Sequence, residues 1–372
     1  MEKTIKELGI YISDGNYSSK YPRNEEFVEE GIPFIRGNNM VDGDITDDEM
    51  YHITPEKHSI LLKGHVKTGD VLITTRGNIG QVAIVPDRYE DSNINAQIVL
   101  LRTNQETLYN RYLLWALQSH KANDQYLALQ TGTALKQLPV GKLEKLSIEV
   151  TDINKQHEIA DILDKTYEVI MSRRKELQLL DDLAKARFVE MFGDPVKNTQ
   201  NRPTTEFINV VKMQRGFDLP VQDRQQDGEI PVYGSNGALD HHNEAKVRGG
   251  GIITGRSGTI GKVFYTEGDY WPLNTSLFSV NTHGNNVIYL AYLLQMFDLT
   301  RFVEGTGVPT LNRNMFHNKQ IMEVSIDEQN QFANFVRKID KSKLPGSILH
   351  SYTKDKLHKR GATTWKPISI TC

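Results

Sequence analysis

Cysteine is almost absent from this chain: its 372 residues include one, Cys372, at the last position. A single thiol excludes an intramolecular disulfide framework and a cysteine-based zinc site within one chain. The sequence also lacks an apolar run long enough to cross a membrane, and its N-terminus lacks the apolar segment of a signal peptide. We therefore expect a protein of the reducing cytoplasm that does not associate with membranes.

The chain has no large net charge of either sign. Its 44 Lys and Arg residues are set against 47 Asp and Glu residues, which gives a net charge of −3. Such a balance argues against a protein that holds polyanions by bulk charge alone. Residues 326–372 differ, with nine basic against four acidic residues. A nucleic-acid surface elsewhere must be a local patch, or must share the phosphate contacts with partner subunits.

Recognisable catalytic motifs are also missing. Gly258–Val263 resembles a phosphate-binding loop, but its spacing is wrong and Val263 stands where a Ser or Thr must bind Mg²⁺. His241 and His242 have no third ligand at a suitable spacing, so we predict no metal site. The sequence contains no nucleophile elbow, HExxH, Rossmann, amino-methyltransferase or nuclease motif. We expect a non-catalytic chain without a cofactor of its own.

The sequence contains an internal repeat with an offset of about 180 residues. Ile32–Asn38 is matched by Ile230–Asn236, and Gly69–Gly80 by Gly250–Gly261, with the apolar run, the arginine and the glycines in the same order. Further on, Ile94-Asn95 corresponds to Leu273-Asn274. Each half is made of short β-branched runs broken by Gly, Asn and Pro, and then ends in a helix. This pattern predicts an α+β fold with two β-rich domains, at residues 1–150 and 196–325.

Residues 151–195 are predicted to form a long spacer helix between these domains. Apolar or long side chains recur along one seam with coiled-coil spacing, at Ile159, Leu163, Ile170, Leu177, Leu180, Ala184 and Met191. The second helix starts in the same way, but Pro345-Gly346 predicts that it stops near Leu344. We therefore expect a shortened helix over 326–344, followed by an atypical basic tail over 345–372. The early stop would leave Ile159, Leu163 and Ile170 uncovered.

The candidate binding residues lie on paired loops. Arg76 and Arg256 end equivalent apolar runs and are followed by small polar residues and glycines, an arrangement suited to reading guanine and contacting phosphate. A hairpin turn that needs the glycines, with an unpartnered surface arginine, is the structural alternative. Besides the two arginines, the candidates are Asn78, Ser257 and Thr259 in the same turns, and Arg36, Asn38, Asn39, Lys136, Gln137, Tyr233, Ser235, Asn236, Asn312 and Arg313 in other paired loops.

In the order of its motifs the chain resembles the specificity subunit of type I restriction-modification systems. Besides the duplicated pattern, the resemblance rests on Leu146–Val150 followed by Asn154–Ala160, on Met191–Pro195, and on Asp327–Ala333. It implies two target-recognition domains in pseudo-twofold repeat, each reading one half of a bipartite double-stranded DNA target, with the helices as spacer.

The resemblance also implies partners. Two modification subunits would bind S-adenosylmethionine and methylate adenine, and restriction subunits would use ATP and Mg²⁺. Because the second helix departs from the family pattern, a truncated or silent specificity chain that cannot assemble is one alternative. A self-sufficient nuclease or methyltransferase with an unrecognised site is the other.

Overall fold

The computed structural model describes residues 1–17, 19–133, 135–225, 227–305 and 309–358, with side chains as far as Lys343. The chain divides into two compact units. The first comprises residues 1–172 with the last turns of the final helix from Ser351, and the second comprises Arg173–His350.

The strands of the first unit are β1 (Glu2–Thr4), β2 (Tyr11–Asp14), β3 (Phe27–Val28), β4 (Ile32–Ile35), β5 (Met40–Val41), β6 (Asp44–Ile45), β7 (Tyr51–Ile53), β8 (Val71–Thr74), β9 (Val82–Ile84), β10 (Asn93–Ile94), β11 (Ile98–Arg102) and β12 (Ser147–Glu149). Its helices are α1 (Pro55–Ile60), α2 (Asn110–Gln118), α3 (His120–Leu129) and α4 (Val140–Leu143). Helix α5 (Ile153–Phe192) begins in the first unit and ends in the second.

The strands of the second unit are β13 (Thr204–Glu206), β14 (Lys212–Arg215), β15 (Ile230–Gly234), β16 (Gly237–His242), β17 (Gly251–Gly255), β18 (Val263–Thr266), β19 (Trp271–Pro272), β20 (Ser276–Asn281), β21 (Val303–Glu304), β22 (Thr310–Leu311) and β23 (Gln320–Met322). Its helices are α6 (Phe207–Val210), α7 (Val287–Phe297) and α8 (Ile326–His358), of which the part up to His350 belongs to this unit.

Sheet topology confirms the predicted repeat. The main sheet has the order β2-β11-β8-β9 in the first unit and β14-β20-β17-β18 in the second. A smaller sheet contains a parallel pair in each unit, β4 with β10 and β15 with β19. The first and last strands of each half also pair, β1 with β12 and β13 with β23. Both units therefore have the predicted α+β class and one shared topology.

Each main sheet buries one face against a helix, α2 in the first unit and α7 in the second. The first core includes Val71, Ile73, Val99, Leu113 and Leu117. The second core includes Ile252, Leu277, Leu290, Leu294 and Phe297. Burying each such side chain contributes about 1.5–3 kcal/mol, so these layers hold the main sheets in place.

A buried glutamine explains why one helix-start motif occurs twice. Gln156 and Gln329 are 0% and 1% exposed, one turn into α5 and α8. The Gln156 side-chain oxygen accepts a hydrogen bond from the Tyr109 N–H, just before α2, at 3.0 Å. The Gln329 oxygen accepts one from the Asn286 N–H, just before α7, at 2.9 Å. The same residue thus satisfies an otherwise unpaired backbone donor at the start of the packed helix in both units.

Helix α5 confirms the predicted seam. Every seam residue is buried or half-buried, and Ile170 is 8% exposed. The expectation that Ile159, Leu163 and Ile170 would be left uncovered is therefore wrong for Ile170, while the other two are half-buried. Off the seam, apolar side chains are exposed at Ile162, Val169, Leu179 and Leu183.

The predicted stop at Leu344 is wrong. Helix α8 passes Pro345 and Gly346 and ends at His358, so it has 33 residues where α5 has 40. Proline inside a helix removes one backbone hydrogen bond and costs about 3 kcal/mol, which can kink a long helix without ending it. The rest of the predicted basic tail, 359–372, lies outside the described residues. Every helix in the described part of the chain is too short or too polar to span a membrane.

Candidate nucleic-acid interface

The first unit has a groove at the end of β8. The lining residues are Arg36, Gly37, Asn38, Thr74, Arg76, Gly77, Asn78, Gln81, Asn95 and Gln97. The fold thus brings together four of the predicted residues, Arg36, Asn38, Arg76 and Asn78, from two separate loops. This lining carries two guanidinium groups and no carboxylate, so it is suited to ligands rich in hydrogen-bond acceptors.

The glycines of the β8–β9 turn have the structural role that the sequence suggested. Gly77 and Gly80 have φ values of 69° and 87°, in the left-handed region where a side chain is strained. The Thr74 hydroxyl donates to the Asn78 carbonyl across the turn. The turn therefore projects Arg76 and Asn78 from a rigid base, and both side chains are exposed.

Aromatic rings position both guanidinium groups of the first groove. Arg76 lies over the Tyr17 ring, 4.8 Å from its centroid, and Arg36 lies over the Tyr51 ring at 3.5 Å. Arg36 also donates to the Glu49 carbonyl at 2.6 Å. Cation–π contacts restrict the side chains and leave their charge unneutralised. Both arginines thus remain cationic donors for a ligand.

The second unit has a groove at the equivalent end of β17. Its lining residues are Arg215, Arg256, Leu277, Glu304, Thr310, Leu311, Asn312, Arg313 and Asn314. Three of these, Arg256, Asn312 and Arg313, were predicted. Asn312 donates to the Glu304 carboxylate at 2.9 Å, so the acidic group of the lining is already hydrogen-bonded.

A second loop lies against the arginine turn in both units. The Leu138 N–H donates to the Thr75 carbonyl at 2.8 Å, and the Leu311 N–H donates to the Arg256 carbonyl at 2.8 Å. Gln137, which is half-buried, forms a backbone bridge with Arg76, and its neighbour Lys136 is exposed. The fold therefore places Lys136 and Gln137 beside the first turn, as it places Asn312 and Arg313 beside the second.

The other predicted residues of the second half surround the Arg256 turn without lining the groove. Ser257 forms a backbone bridge with Thr310, and Thr259 is half-buried. The Ser235 backbone lies close to this turn, because a Cβ atom placed on Gly255 would be 2.9 Å from the Ser235 carbonyl oxygen. Asn236 accepts a hydrogen bond from Lys262 at 2.8 Å. Tyr233 packs edge-on against Tyr270, and burial raises the pKa of the Tyr233 hydroxyl.

The prediction that Asn39 contacts DNA is wrong. Its side chain is 0% exposed, and both ends of its amide bond to neighbouring backbone groups. The oxygen accepts the Arg36 N–H at 3.0 Å, and the nitrogen donates to the Asp48 carbonyl at 2.8 Å. Asn39 therefore fixes the loop that carries Arg36 and Asn38.

Sequence reasoning missed several groove residues. In addition to those predicted, Gln81, Asn95 and Gln97 line the first groove, and Arg215 and Asn314 line the second. A pair of glycines, Gly15 near Tyr17 and Gly216 next to Arg215, was the sequence signal that could have located these groove residues. A Cβ on Gly15 would lie 2.4 Å from the Asn95 carbonyl oxygen, and one on Gly216 would lie 2.3 Å from that of Leu273. Both glycines let the end of a strand approach the turn before β11 or β20.

His317 supports the loop of the second groove, and we expect it to make the stability of the second unit depend on pH. Its Nε2 accepts the Met213 N–H at 3.1 Å, which requires a neutral ring. Burial, and then Arg313 and Lys212, lower the pKa of His317. We expect its stabilising contribution to be complete above the unfolded-state pKa of about 6.5 and to be lost as pH falls below it.

Urea unfolding at about pH 7.5 and about pH 5.5 checks this prediction. The difference between the two unfolding midpoints should be smaller in His317→Gln than in the unchanged chain, because glutamine accepts the same hydrogen bond without titrating. Equal differences in the two proteins would show that His317 does not contribute to the pH dependence.

Two grooves built on the same turn lie in duplicated α+β units, one in each half of the chain. The chain belongs to the family of type I restriction modification DNA specificity domains, which matches residues 1–180 and 197–348. The double match agrees with the repeat in the topology.

Individual relatives are distant. The putative type I restriction enzyme MjaX specificity subunit of Methanocaldococcus jannaschii is 25% identical over 169 residues, which cover 44% of this chain and 39% of that protein. The match thus spans about two fifths of that relative. The crystal structure of the S subunit of a type I restriction-modification system from M. genitalium is 17% identical and covers 96% of this chain and 94% of that chain, with a TM-score of 0.62. The second comparison supports the fold.

Proposed function

We propose that this chain is the non-catalytic, sequence-specific DNA-binding subunit of a type I restriction-modification complex. In this proposal it directs restriction and adenine methylation to a bipartite double-stranded target, with one half-site read by each unit. The observation that carries the proposal is the repetition of an arginine-bearing turn, at Arg76 and at Arg256, in equivalent grooves of the two units.

The groove chemistry suits base edges. An arginine can donate two hydrogen bonds to O6 and N7 of guanine, and an Asn or Gln side chain can pair with N6 and N7 of adenine. The first groove offers Arg36 and Arg76 with several side-chain amides, and the second offers three arginines with Asn314. Phosphate contacts would then fix orientation while these groups supply sequence preference.

The charge balance favours assembly with partners. With a net charge of −3, the chain gains little general attraction to DNA. We propose that two modification subunits carrying S-adenosylmethionine, and restriction subunits using ATP and Mg²⁺, surround the duplex in the cytoplasm and supply most phosphate contacts.

Selection of bound sequences from a random duplex library, by the chain with its modification subunits, tests the proposed function. Two short constant half-sites at a fixed separation are expected, and recovery of random sequence would contradict it.

Two alternatives have distinct outcomes. A silent or truncated specificity chain would fail to co-purify with a modification subunit, whereas the continuation of α8 beyond Pro345 favours an assembling chain. A self-sufficient enzyme would bind S-adenosylmethionine or cleave DNA with a metal ion when purified alone. We expect neither activity from the isolated chain.

The length of α5 should set the gap between the half-sites. Inserting four residues near Glu176 lengthens the helix by about 6 Å and keeps the seam roughly in phase. At about 3.4 Å per base pair, the preferred gap should increase by about two base pairs. The gap is read from the selected or methylated sequences, and an unchanged gap with intact binding would rule out a ruler function for α5.

A further inference from the structure

A cluster of two histidines and one aspartate lies in the first unit, apart from the groove lining. His58 is in α1, His65 is in the following loop, and Asp91 precedes β10. One potential ligand atom from each residue lies within 4.8 Å of the others. The His58 Nε2 atom is 3.4 Å from Oδ2 of Asp91, and the His65 Nδ1 atom is 3.4 Å from Oδ1 of the same carboxylate.

The second nitrogen of each ring is already occupied by an acceptor. His65 Nε2 lies 2.7 Å from the Leu61 carbonyl, which can only accept, so this nitrogen carries the proton. Asn93 Oδ1 lies 2.6 Å from His58 Nδ1 and holds the proton there in the same way. In the neutral rings, the nitrogens that face Asp91 are then lone pairs. Two lone pairs directed at a carboxylate repel it unless a proton or a metal cation lies between them.

We propose that His58, His65 and Asp91 bind a divalent transition-metal ion such as Zn²⁺. Two imidazoles and a carboxylate are a ligand set that zinc accepts, with a fourth position left for water. Tetrahedral zinc with bonds of about 2.0–2.1 Å places neighbouring ligand atoms roughly 3.3 Å apart, and each histidine nitrogen lies close to this distance from one of the two Asp91 carboxylate oxygens. Hydrogen bonds from the non-ligating nitrogens to Leu61 and Asn93 are the outer contacts that orient zinc-binding histidines.

The surroundings of the cluster allow a metal ion to enter and indicate a structural role for that ion. The His58 side chain is 14% exposed and that of Asp91 is 69% exposed, so the cluster opens to solvent on the carboxylate side. One face of the adjoining sheet of β3, β4, β7 and β10 packs on a small core whose buried members are Phe34, Ile53 and Leu61. A metal ion would cross-link α1, its loop and the start of β10 next to this core. The binding free energy of such an ion adds to the stability of the fold that holds its ligands.

The metal cross-link would also support the first groove. Asn93, which contacts His58, pairs with Phe34 in β4, and Arg36 follows β4 directly. We therefore expect the metal to stabilise the small sheet that presents Arg36 and Asn38. This role is structural, and it stands independently of which ligand the groove binds.

Zinc titration of the full chain, after removal of metal with a chelator, tests the inference. We expect one equivalent of Zn²⁺ to bind with a Kd of about 1 µM or below and to raise the melting temperature, with no effect of Mg²⁺. Asp91→Asn keeps the side-chain shape and His65→Gln keeps a neutral polar side chain, but both should weaken zinc binding at least about tenfold and abolish the rise in melting temperature. His241→Ala removes an exposed histidine of the second unit and is the matched control that should bind like the unchanged chain.

Circular dichroism without metal establishes that each variant is folded. Absence of zinc binding by the unchanged chain up to about 100 µM would overturn the proposal, and so would equal zinc affinity in Asp91→Asn and His65→Gln. In the first of these outcomes, protonated histidines rather than a metal ion would account for the contacts with Asp91. Because no measurement uses DNA, failure here is distinct from failure of the proposed recognition function.

Discussion

Replacing Arg76 by alanine should relax sequence preference at one half-site and leave the other unchanged, and Arg256→Ala should have the reverse effect. Each arginine ends a main-sheet strand and enters a separate groove, so loss of one guanidinium group removes contacts from one unit. A bidentate arginine–guanine contact contributes about 1–3 kcal/mol of discrimination, or roughly 5- to 150-fold between matched and mismatched sites. Competition binding with single-base variants of each half-site measures the change.

Arg23→Ala and Arg248→Ala are suitable controls, because both arginines are exposed and neither is among the residues that line the grooves. They should change the affinity for all sequences equally or not at all. If Arg76→Ala and Arg256→Ala also weakened every DNA sequence by the same factor, their assignment to base reading would be wrong and a phosphate contact would replace it.

Replacing Phe188 by alanine should destabilise the second unit by about 3–5 kcal/mol, the usual cost of truncating a buried phenylalanine. Phe188 is 0% exposed on α5 and packs against Phe192, Tyr289 and Phe332, with ring centroids 5.0, 5.8 and 5.5 Å away. The cluster joins α5 to α7 and α8. Urea unfolding followed by circular dichroism should move the transition of the second unit to lower urea.

Val189 is the matched control for this truncation. It is the next residue of α5 and is 41% exposed, so Val189→Ala should lower the free energy of unfolding by much less than Phe188→Ala does. Similar shifts for both variants would mean that the aromatic cluster does not anchor α5 in the second unit.

The duplicated parts of the fold were predictable because each feature occurs twice in the chain. The turns at Arg76 and Arg256 share their strand, arginine and glycines, and both form grooves. The seam of α5 followed from its spacing alone. The motif around Gln156 and Gln329 was recognisable as a repeat. Its role, which is to cap a packed helix, depends on contacts with residues more than forty positions away and so could not be predicted.

The remaining features depend on tertiary structure that no local pattern contains. Asn38 and Asn39 are neighbours of identical type, yet one is exposed and the other is fully buried. Arg215 reaches the second groove because β14 pairs with β20, far from the Arg256 turn in sequence. Pro345 signalled a helix end, but one lost hydrogen bond did not end α8. His58, His65 and Asp91 meet from three segments whose spacing matches no metal-binding motif.

Mapping methylated bases across a genome, in cells that express this chain with its modification subunit, tests the central claim most directly. The account predicts methylation within one bipartite motif, with two constant half-sites at a fixed separation, and Arg76→Ala should degrade one half-site while Arg256→Ala degrades the other. A single continuous motif, or the same half-site degraded by both substitutions, would contradict recognition by two independent units.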